Sequence, residues 1–146
     1  MLFKKCNEKF GAYKYLIFRL VVGFLFFGHG AQKLLGWFGG KAVGNIFSWP
    51  FGIAGIIEVV VGLAIFFGIW GRLAAMFGAI EMFVAFIASH SCRGLISGKM
   101  CEAFNINPFA NGGELALLYF VAFLALMLYG NGKFSLENAI LKKETF

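Results

Sequence analysis

Ionisable side chains inside long apolar runs are the residues of this chain whose types and spacing could do chemistry. Arg19 and His29 lie in the apolar run 13–35, and Glu58 and Glu81 each lie in a later run. Hydrocarbon solvates charged groups poorly, so such side chains pair with one another, reach the interface or line a protected cavity. Their chemistry suits a proton relay, a quinone headgroup pocket or an anchor for an anionic ligand.

Composition indicates an integral membrane protein of one domain, residues 1–146. Of the 146 residues, 60% are hydrophobic and 14% are charged, and the mean hydropathy is +0.81. A soluble domain of this length would leave too much apolar surface in water. The net charge of +6 comes from basic residues scattered at segment ends, so we expect the lipid bilayer and not nucleic acid as a partner.

Four apolar segments predict transmembrane helices, at about 13–35, 51–70, 72–89 and 113–129. The first spans about 34 Å, which is enough to cross a bilayer core of about 30 Å. It carries Arg19 and lacks an A-x-A cleavage site, which favours an uncleaved helix over a signal peptide. The predicted fold is an all-α membrane protein. It is a four-helix transmembrane bundle with a short C-terminal amphipathic helix that begins after Ser135 and lies on the membrane surface.

The distribution of Lys and Arg predicts which helix ends face the cytoplasm. The richer side holds Lys4, Lys5, Lys9, Lys14, Arg72, Lys133, Lys142 and Lys143, whereas the other side holds Lys33, Lys41, Arg93 and Lys99. We therefore predict a multi-pass protein of the plasma (inner) membrane with both termini in the cytoplasm.

Small residues surround both intramembrane carboxylates at helical spacing. They are Gly55 and Gly62 around Glu58, and Ala74, Gly78 and Ala85 around Glu81. Small residues on a transmembrane face let a neighbouring backbone approach closely, so both carboxylates are predicted to point into the bundle.

Helix positions predict a polar intramembrane cluster of Arg19, His29, Lys33, Glu58 and Glu81. Arg19 lies roughly 7 Å to the cytoplasmic side of its helix midpoint, and His29 lies about as far to the outer side. Glu58 and Glu81 fall near the midplane. Two interpretations stay open. The cluster is a ligand or proton site, or Arg19 pairs with Glu58 or Glu81 and fixes the helix packing.

The outer half of this cluster also has simpler interpretations. His29, between two glycines, is typical of a hydrogen-bonded core histidine, and haem ligation together with His90 is disfavoured because their depths differ. Lys33, near the outer interface, is typical of a lysine that extends its ammonium group to the headgroups. If the bundle holds a functional site, we expect it around His29 and Lys33, open toward the downstream loop.

Asn111 and Glu114 have the spacing of a capping box, with a side-chain acceptor at the N-cap and a carboxylate three residues later. A helix-cap role is favoured over a ligand role, which leaves both residues at the rim of any site.

Cys92 and Cys101 lie in one predicted outer loop, where an oxidising compartment permits a disulfide. A structural staple is favoured over a redox-active pair because the chain has no C-x-x-C. No Cys and His group has the spacing of a metal site, so we expect no metal. The chain also has no Rossmann G-x-G-x-x-G and no P-loop. A redox cofactor would therefore be lipid-soluble, such as a quinone, or belong to a partner.

Five features of the chain occur together in a characteristic order. They are RLVVGFLFFGHGAQKLLGWFGG (19–40), the Glu of the second helix, the GRLAA turn (71–75), NGGELALLYF (111–120) and GNGKFSLE (130–137). In order and spacing they resemble the DoxX family, and the likeness covers about Tyr15 to Glu137.

The resemblance implies a four-helix inner-membrane protein. Members of this family have been linked to a thiosulfate:quinone oxidoreductase and to membrane redox-stress complexes, and more distant relatives to maturation factors and receptor chaperones. Motif positions of the family are occupied by Arg19, His29, Lys33, Glu58 and Glu114, whereas the two downstream cysteines belong to a variable loop.

We expect a small subunit or accessory protein of a quinone- or thiol-linked membrane redox system, with a membrane redox partner protein. Whether the chain is itself an enzyme stays open. The alternatives are a non-enzymatic assembly factor, chaperone or scaffold, and a proton-coupled carrier of a small solute that would require a homo-oligomer.

Overall fold

The computed structural model describes residues 2–101 and 103–142, with side chains described from residue 10 onward. Within these ranges the chain is all-helical and contains no strand. Its helices are α1 (Leu2–Leu35), α2 (Phe51–Phe67), α3 (Gly71–Val84), α4 (Pro108–Asn111), α5 (Glu114–Tyr129) and α6 (Leu136–Leu141). Lys143 and the side chains of Lys4, Lys5 and Lys9, which entered the charge count, lie outside the described residues.

Helix boundaries differ from the sequence expectation where local backbone chemistry intervenes. The helix α1 begins at Leu2 rather than near residue 13, so the basic segment before residue 13 belongs to the helix. The helix α2 ends at Phe67, because Gly68 adopts a left-handed conformation with φ 69° and stops it. The helix α3 is followed directly by π-helical turns over Ala85–Ser91, a geometry that often marks functional sites.

The four long helices pack in chain order, with α1 against α2, α2 against α3, and α3 against α5. The core between them is apolar. Phe26, Ile65, Phe123 and Leu126 are fully buried, and the rings of Phe26 and Phe123 meet edge to face at 4.7 Å. This core joins α1 to α5 and holds the bundle together through burial of apolar surface.

Glycines let α1 and α2 approach backbone to backbone. A Cβ added to Gly23 would lie 2.6 Å from the backbone nitrogen of Phe66, and one added to Gly30 would lie 2.7 Å from the carbonyl oxygen of Gly55. The small-residue face of α2 is therefore buried inside the chain, against α1.

Two helices are long and apolar enough to cross a bilayer, and two are shorter apolar helices. Phe10–Leu35 has 26 residues and Gly71–Ser91 has 21 residues, whereas α2 and α5 have 17 and 16. All four present large apolar side chains outward. Examples are Leu25, Val60, Phe83 and Leu118, each at least half exposed. Such an exterior fits contact with lipid.

The bundle has two chemically different ends. We call the loop end the one formed by residues 36–50, 92–101 and 103–113. The hairpin end is the one formed by the turn 68–70 and residues 130–141. At the hairpin end the Ser135 hydroxyl accepts a hydrogen bond from the backbone N–H of Asn138 at 3.2 Å, which starts α6.

Candidate functional site

Arg19 belongs to the hairpin end and does not pair with the intramembrane glutamates. It is 3% exposed, and its guanidinium donates to the carbonyl oxygen of Asn131 and, at 2.6 Å, to that of Phe134. Of the two interpretations left open, the ion pair of Arg19 with Glu58 or Glu81 is not the arrangement found in the structure. Glu58 pairs instead with Lys33. Lys33 lies 14 positions after Arg19 on α1, so the two basic residues are about 21 Å apart along the helix.

Other polar groups at the hairpin end connect three parts of the chain. The Tyr15 hydroxyl donates to the carbonyl oxygen of Gly130. The Glu137 carboxylate accepts from the backbone N–H of Trp70 at 3.1 Å and from the side-chain amide of Asn131. We call Tyr15, Arg19, Asn131 and Glu137 the anchor cluster. It ties α1 to the turn 68–70 and to the segment before α6.

Asn131 and Glu137 were not singled out from the sequence as polar-site residues. Both are buried, at 3% and 4% exposure. The available signal was their position in the GNGKFSLE stretch, in which a glycine-rich turn precedes a carboxylate.

Lys33 forms an ion pair with Glu58, with Nζ 2.6 Å from Oε1. The Lys33 side chain is 31% exposed and that of Glu58 is 4% exposed. The expectation that Lys33 extends to the headgroups is therefore wrong, because a buried carboxylate on α2 attracts its ammonium group inward. Among the described residues, the second oxygen of Glu58 has no hydrogen-bond partner.

Glu81 faces this ion pair from α3. It interacts electrostatically with both Glu58 and Lys33. Both of its carboxyl oxygens are buried, and in the described part of the chain neither has a hydrogen-bond partner. A buried polar group without a partner is costly, so this carboxyl requires a proton, a water or a ligand group. We call Lys33, Glu58 and Glu81 the polar triad.

A cavity of about 250 Å³ lies between α2 and α3, beside the polar triad. We call it the lateral cavity. Its lining includes Lys33, Trp49, Phe51, Phe77, Ile80 and Glu81, and it is apolar apart from the two charged groups and Ser89. Phe51, Phe77 and Ile80 are each at least half exposed on the outer surface of the bundle. The lateral cavity therefore opens sideways between two helices.

A second cavity of about 200 Å³ lies on the other side of the ion pair, toward α5. We call it the histidine cavity. His29, Lys33, Glu58, His90 and Tyr119 contribute its polar groups. The ring of His29 meets that of Tyr119 edge to face at 5.7 Å, so His29 lies at the wall of this cavity. The structure thus brings His29, Lys33 and both glutamates into one region and leaves Arg19 outside it.

The expected capping box at Asn111 and Glu114 is wrong. Asn111 is the last residue of α4, and α5 begins only at Glu114, which lies exposed in the first turn. Gly112, with φ 74°, separates the two helices, so Asn111 cannot be the N-cap of α5. The Asn111 side chain instead donates to the carbonyl oxygen of Asn105 at 2.8 Å and accepts from the N–H of Gly113 at 2.7 Å.

Cys92 and Cys101 are joined by a disulfide, with 5.3 Å between their Cα atoms. Cys92 is buried directly after the π-helical turns, whereas Cys101 is exposed. Ser89 and Ile96, on either side of Cys92, line the lateral cavity, and the Trp49 indole N–H donates to the carbonyl oxygen of Ile96 at 2.7 Å. The disulfide therefore closes a loop that forms the loop-end wall of the lateral cavity. Within the described chain no group of three or more metal-ligating side chains comes together.

A helical bundle with an apolar exterior and buried ionisable groups defines the class as a helical membrane protein with a polar interior. The family model DoxX matches residues 15–91, and the chain belongs to the DoxX family. It is 36% identical over 141 residues to an uncharacterized protein of Haemophilus influenzae, a match that covers 93% of this chain and 97% of that protein. No solved structure matches the chain.

Proposed function

We propose that this protein is a small accessory subunit of a quinone-linked redox system in the inner membrane, and that the lateral cavity binds the quinone headgroup. One observation carries the proposal. A cavity that opens sideways from an apolar bundle contains a buried carboxyl group that has no hydrogen-bond partner among the described residues.

In this proposal α1, α2, α3 and α5 each cross the bilayer. The helices α2 and α5 are about 26 and 24 Å long, slightly less than the hydrocarbon core of about 30 Å. Flanking residues can extend the span of α2, since Trp49 precedes it and Trp70 follows it, and tryptophan favours the interface. The excess of Lys and Arg supports an orientation in which the hairpin end and both termini face the cytoplasm and α6 lies at the membrane surface.

Quinone chemistry matches the walls of the lateral cavity. The Lys33 ammonium can donate to a quinone carbonyl oxygen. The Glu81 carboxyl can donate to a quinone carbonyl oxygen when it is protonated, and can accept from the hydroxyl of the reduced form when it is ionised. An isoprenoid tail would leave the cavity between Phe51, Phe77 and Ile80 and enter the lipid. A charged, water-soluble solute would instead meet an almost wholly apolar wall, which desolvates it without compensation.

Electrons for such a quinone would come from a redox partner protein in the membrane. If the redox system were thiol-linked, the disulfide loop at the wall of the lateral cavity would be the part of the chain that takes part in it. A Cys92→Ala/Cys101→Ala variant that binds quinone normally would leave only the quinone-linked form of the proposal.

Trp49 provides a direct test because it lines the lateral cavity. A Trp37→Phe/Trp70→Phe variant retains Trp49 as its only indole, since the chain has three Trp. In proteoliposomes, a short-chain ubiquinone analogue should quench its fluorescence saturably. A Trp49→Phe/Trp70→Phe control retains only Trp37, which packs against Phe27 outside that wall, and should show unsaturable quenching.

Substitutions at the polar groups sharpen this test. Glu81→Gln and Lys33→Met should each raise the half-saturating quinone concentration about tenfold, the loss expected for one hydrogen bond to a charged group. Equal, unsaturable quenching of Trp49 and Trp37 would overturn the proposal.

The scaffold alternative has lost part of its motivation. The glycine-rich helix faces that favour packing are used between α1 and α2 of the same chain, so they are not open to a partner helix. Absent quinone binding together with a membrane protein that copurifies reproducibly would nevertheless favour a scaffold.

A further inference from the structure

We propose that Glu58, held by Lys33, passes protons between the histidine cavity and Glu81, so that a ligand in the lateral cavity exchanges protons with the loop end of the bundle. The identity of the ligand rests on the proposed function, whereas the proton route rests only on the two cavities and the polar triad.

The two cavities meet at the polar triad. Lys33 lines both of them, and so do Met82 and Ala85 on α3. Glu58 lines the histidine cavity and Glu81 lines the lateral cavity. The Lys33–Glu58 ion pair, with its 2.6 Å contact, is therefore the polar link between a cavity that opens toward lipid and one that reaches the loop end.

Three carboxyl oxygens at this link are available to a proton. They are the second oxygen of Glu58 and both oxygens of Glu81, all buried and all without a hydrogen-bond partner in the ranges that the structure describes. One ammonium group and two carboxyl groups are electrically neutral when the two carboxyls share one proton. The triad is thus suited to hold one exchangeable proton while Lys33 keeps its charge.

The transfer balances without a further reactant. The Glu81 carboxyl gives its proton to an oxygen of the reduced ligand and becomes a carboxylate. The Glu58 carboxylate then takes up a proton from the water of the histidine cavity and passes it on to the Glu81 carboxylate. Both carboxyls return to their starting forms, and one proton has moved from the histidine cavity to the ligand. The reverse sequence carries a proton away from a quinol while the membrane redox partner takes its electrons, and releases that proton into the histidine cavity.

The groups that face the triad come from several elements. His29 faces it from α1, Tyr119 from α5 and His90 from the π-helical turns. The two histidines and the tyrosine surround the route on the histidine-cavity side, where they can order water or relay the proton.

The opposite direction is blocked by an apolar layer. Between the triad and the anchor cluster, the core consists of buried side chains such as Val22, Phe26, Ile65 and Phe123. Arg19 lies beyond this layer, about 21 Å from Lys33 along α1. The protons are therefore expected to come from the loop end and not from the hairpin end.

A lipophilic carbodiimide tests this route without any quinone, because it reacts with protonated carboxyl groups from the lipid phase. Oriented proteoliposomes of the full chain would be labelled with dicyclohexylcarbodiimide while the pH is changed on one side at a time. Modification of Glu81 would be followed by mass spectrometry. Raising the pH on the loop side should reduce the rate of Glu81 labelling by up to about tenfold per pH unit. Raising the pH on the hairpin side should leave that rate unchanged.

In Glu58→Gln, the rate at which Glu81 labelling adjusts to a change of loop-side pH should fall at least about tenfold. This is the effect expected when one proton-transfer group is removed. Glu58→Asp keeps a carboxyl and should restore part of the response. Glu114→Gln, which changes an exposed carboxylate at the same end, should behave as wild type. The route would be overturned if Glu81 labelling followed the pH on the hairpin side. It would also be overturned if Glu58→Gln folded normally and its Glu81 labelling still responded fully to loop-side pH.

Failure of the route and failure of quinone binding are distinguishable. Saturable quenching of Trp49 with labelling that ignores loop-side pH overturns the route and leaves quinone binding intact. Labelling that follows loop-side pH without saturable quenching supports the route and removes the quinone.

Discussion

The anchor cluster and the polar triad are both buried polar groups in an apolar bundle, and they differ in how fully their hydrogen bonds are satisfied. In the anchor cluster the two terminal nitrogens of Arg19 donate to two backbone carbonyl oxygens, and only its Nε lacks a hydrogen-bond partner within the described residues. Glu137 accepts from a backbone N–H and a side-chain amide. In the polar triad, Glu81 has no partner within the described residues and adjoins a cavity.

This contrast separates two uses of buried charge. A charge whose partners are backbone groups of the same chain fixes the positions of those segments, and removing it leaves buried acceptors unpaired. A charge that faces a cavity with unused hydrogen-bonding capacity contributes little to folding and is available for a ligand or a proton. We therefore expect stability to depend most on Arg19 of the anchor cluster, less on the Lys33–Glu58 ion pair and least on Glu81, where we expect the chemistry.

Arg19→Met should have the largest effect on stability, a loss of about 3 kcal/mol or more in the free energy of unfolding. The carbonyl oxygens of Asn131 and Phe134 would lose their donor in a buried region. Thermal unfolding in detergent measures this. Lys14→Met, at an exposed position of the same helix, should leave stability nearly unchanged. A stable Arg19→Met variant with impaired quinone binding would move Arg19 into the functional site and break the comparison.

Lys33→Met should cost about 2 kcal/mol, because the buried Glu58 carboxylate loses its counter-ion. Glu58→Gln in the same background should recover part of this loss by removing the charge that was left. The double-mutant cycle in chemical unfolding gives the coupling energy, expected at about 1–3 kcal/mol. Additive effects would contradict the ion pair.

Tyr15→Phe should lower the free energy of unfolding by about 1 kcal/mol. It removes one hydroxyl that donates to the carbonyl oxygen of Gly130 and keeps the ring. The same thermal measurement applies, and the quinone affinity reported by Trp49 should not change. A change in affinity without a change in stability would connect the anchor cluster to the ligand.

Glu81→Gln should have the smallest effect on stability, within about 0.5 kcal/mol of wild type, because no hydrogen bond made by the described residues is lost. Its quinone affinity should nevertheless fall about tenfold. Calorimetric unfolding and Trp49 quenching on the same preparation separate the two effects. A strong destabilisation would show that Glu81 has a structural role like that of Arg19.

The apolar helices were predictable because their signal is local. Runs of apolar residues carry most of the information needed to place them, although the left-handed Gly68 ends α2 at Phe67 and not at the predicted residue 70. The inward direction of Glu58 was also predictable, since Gly55 and Gly62 share its face and pack against α1. The prediction of a capping box at Asn111 was wrong, because an Asn followed by two glycines fits a helix end as well as a helix start.

The pairing of the charges was decided only by the tertiary structure. Sequence spacing along α1 shows that Arg19 and Lys33 are about 21 Å apart, but not which of them meets a glutamate. The partners of Arg19 are backbone carbonyl oxygens more than 110 positions away, and every residue has such an oxygen, so no side-chain pattern announces them. The cavities likewise depend on how α2, α3 and α5 diverge, which no single segment encodes.

By itself, then, the sequence determined an apolar helical membrane protein of the DoxX family with ionisable groups in its interior, because hydropathy and helix periodicity are properties of contiguous residues. The tertiary structure alone decided that Arg19 is an anchor and that Lys33, Glu58 and Glu81 form the triad beside two cavities. Hydrogen bonding and burial are properties of distant segments brought together, and they separate a charge that holds the bundle from one that is available for chemistry.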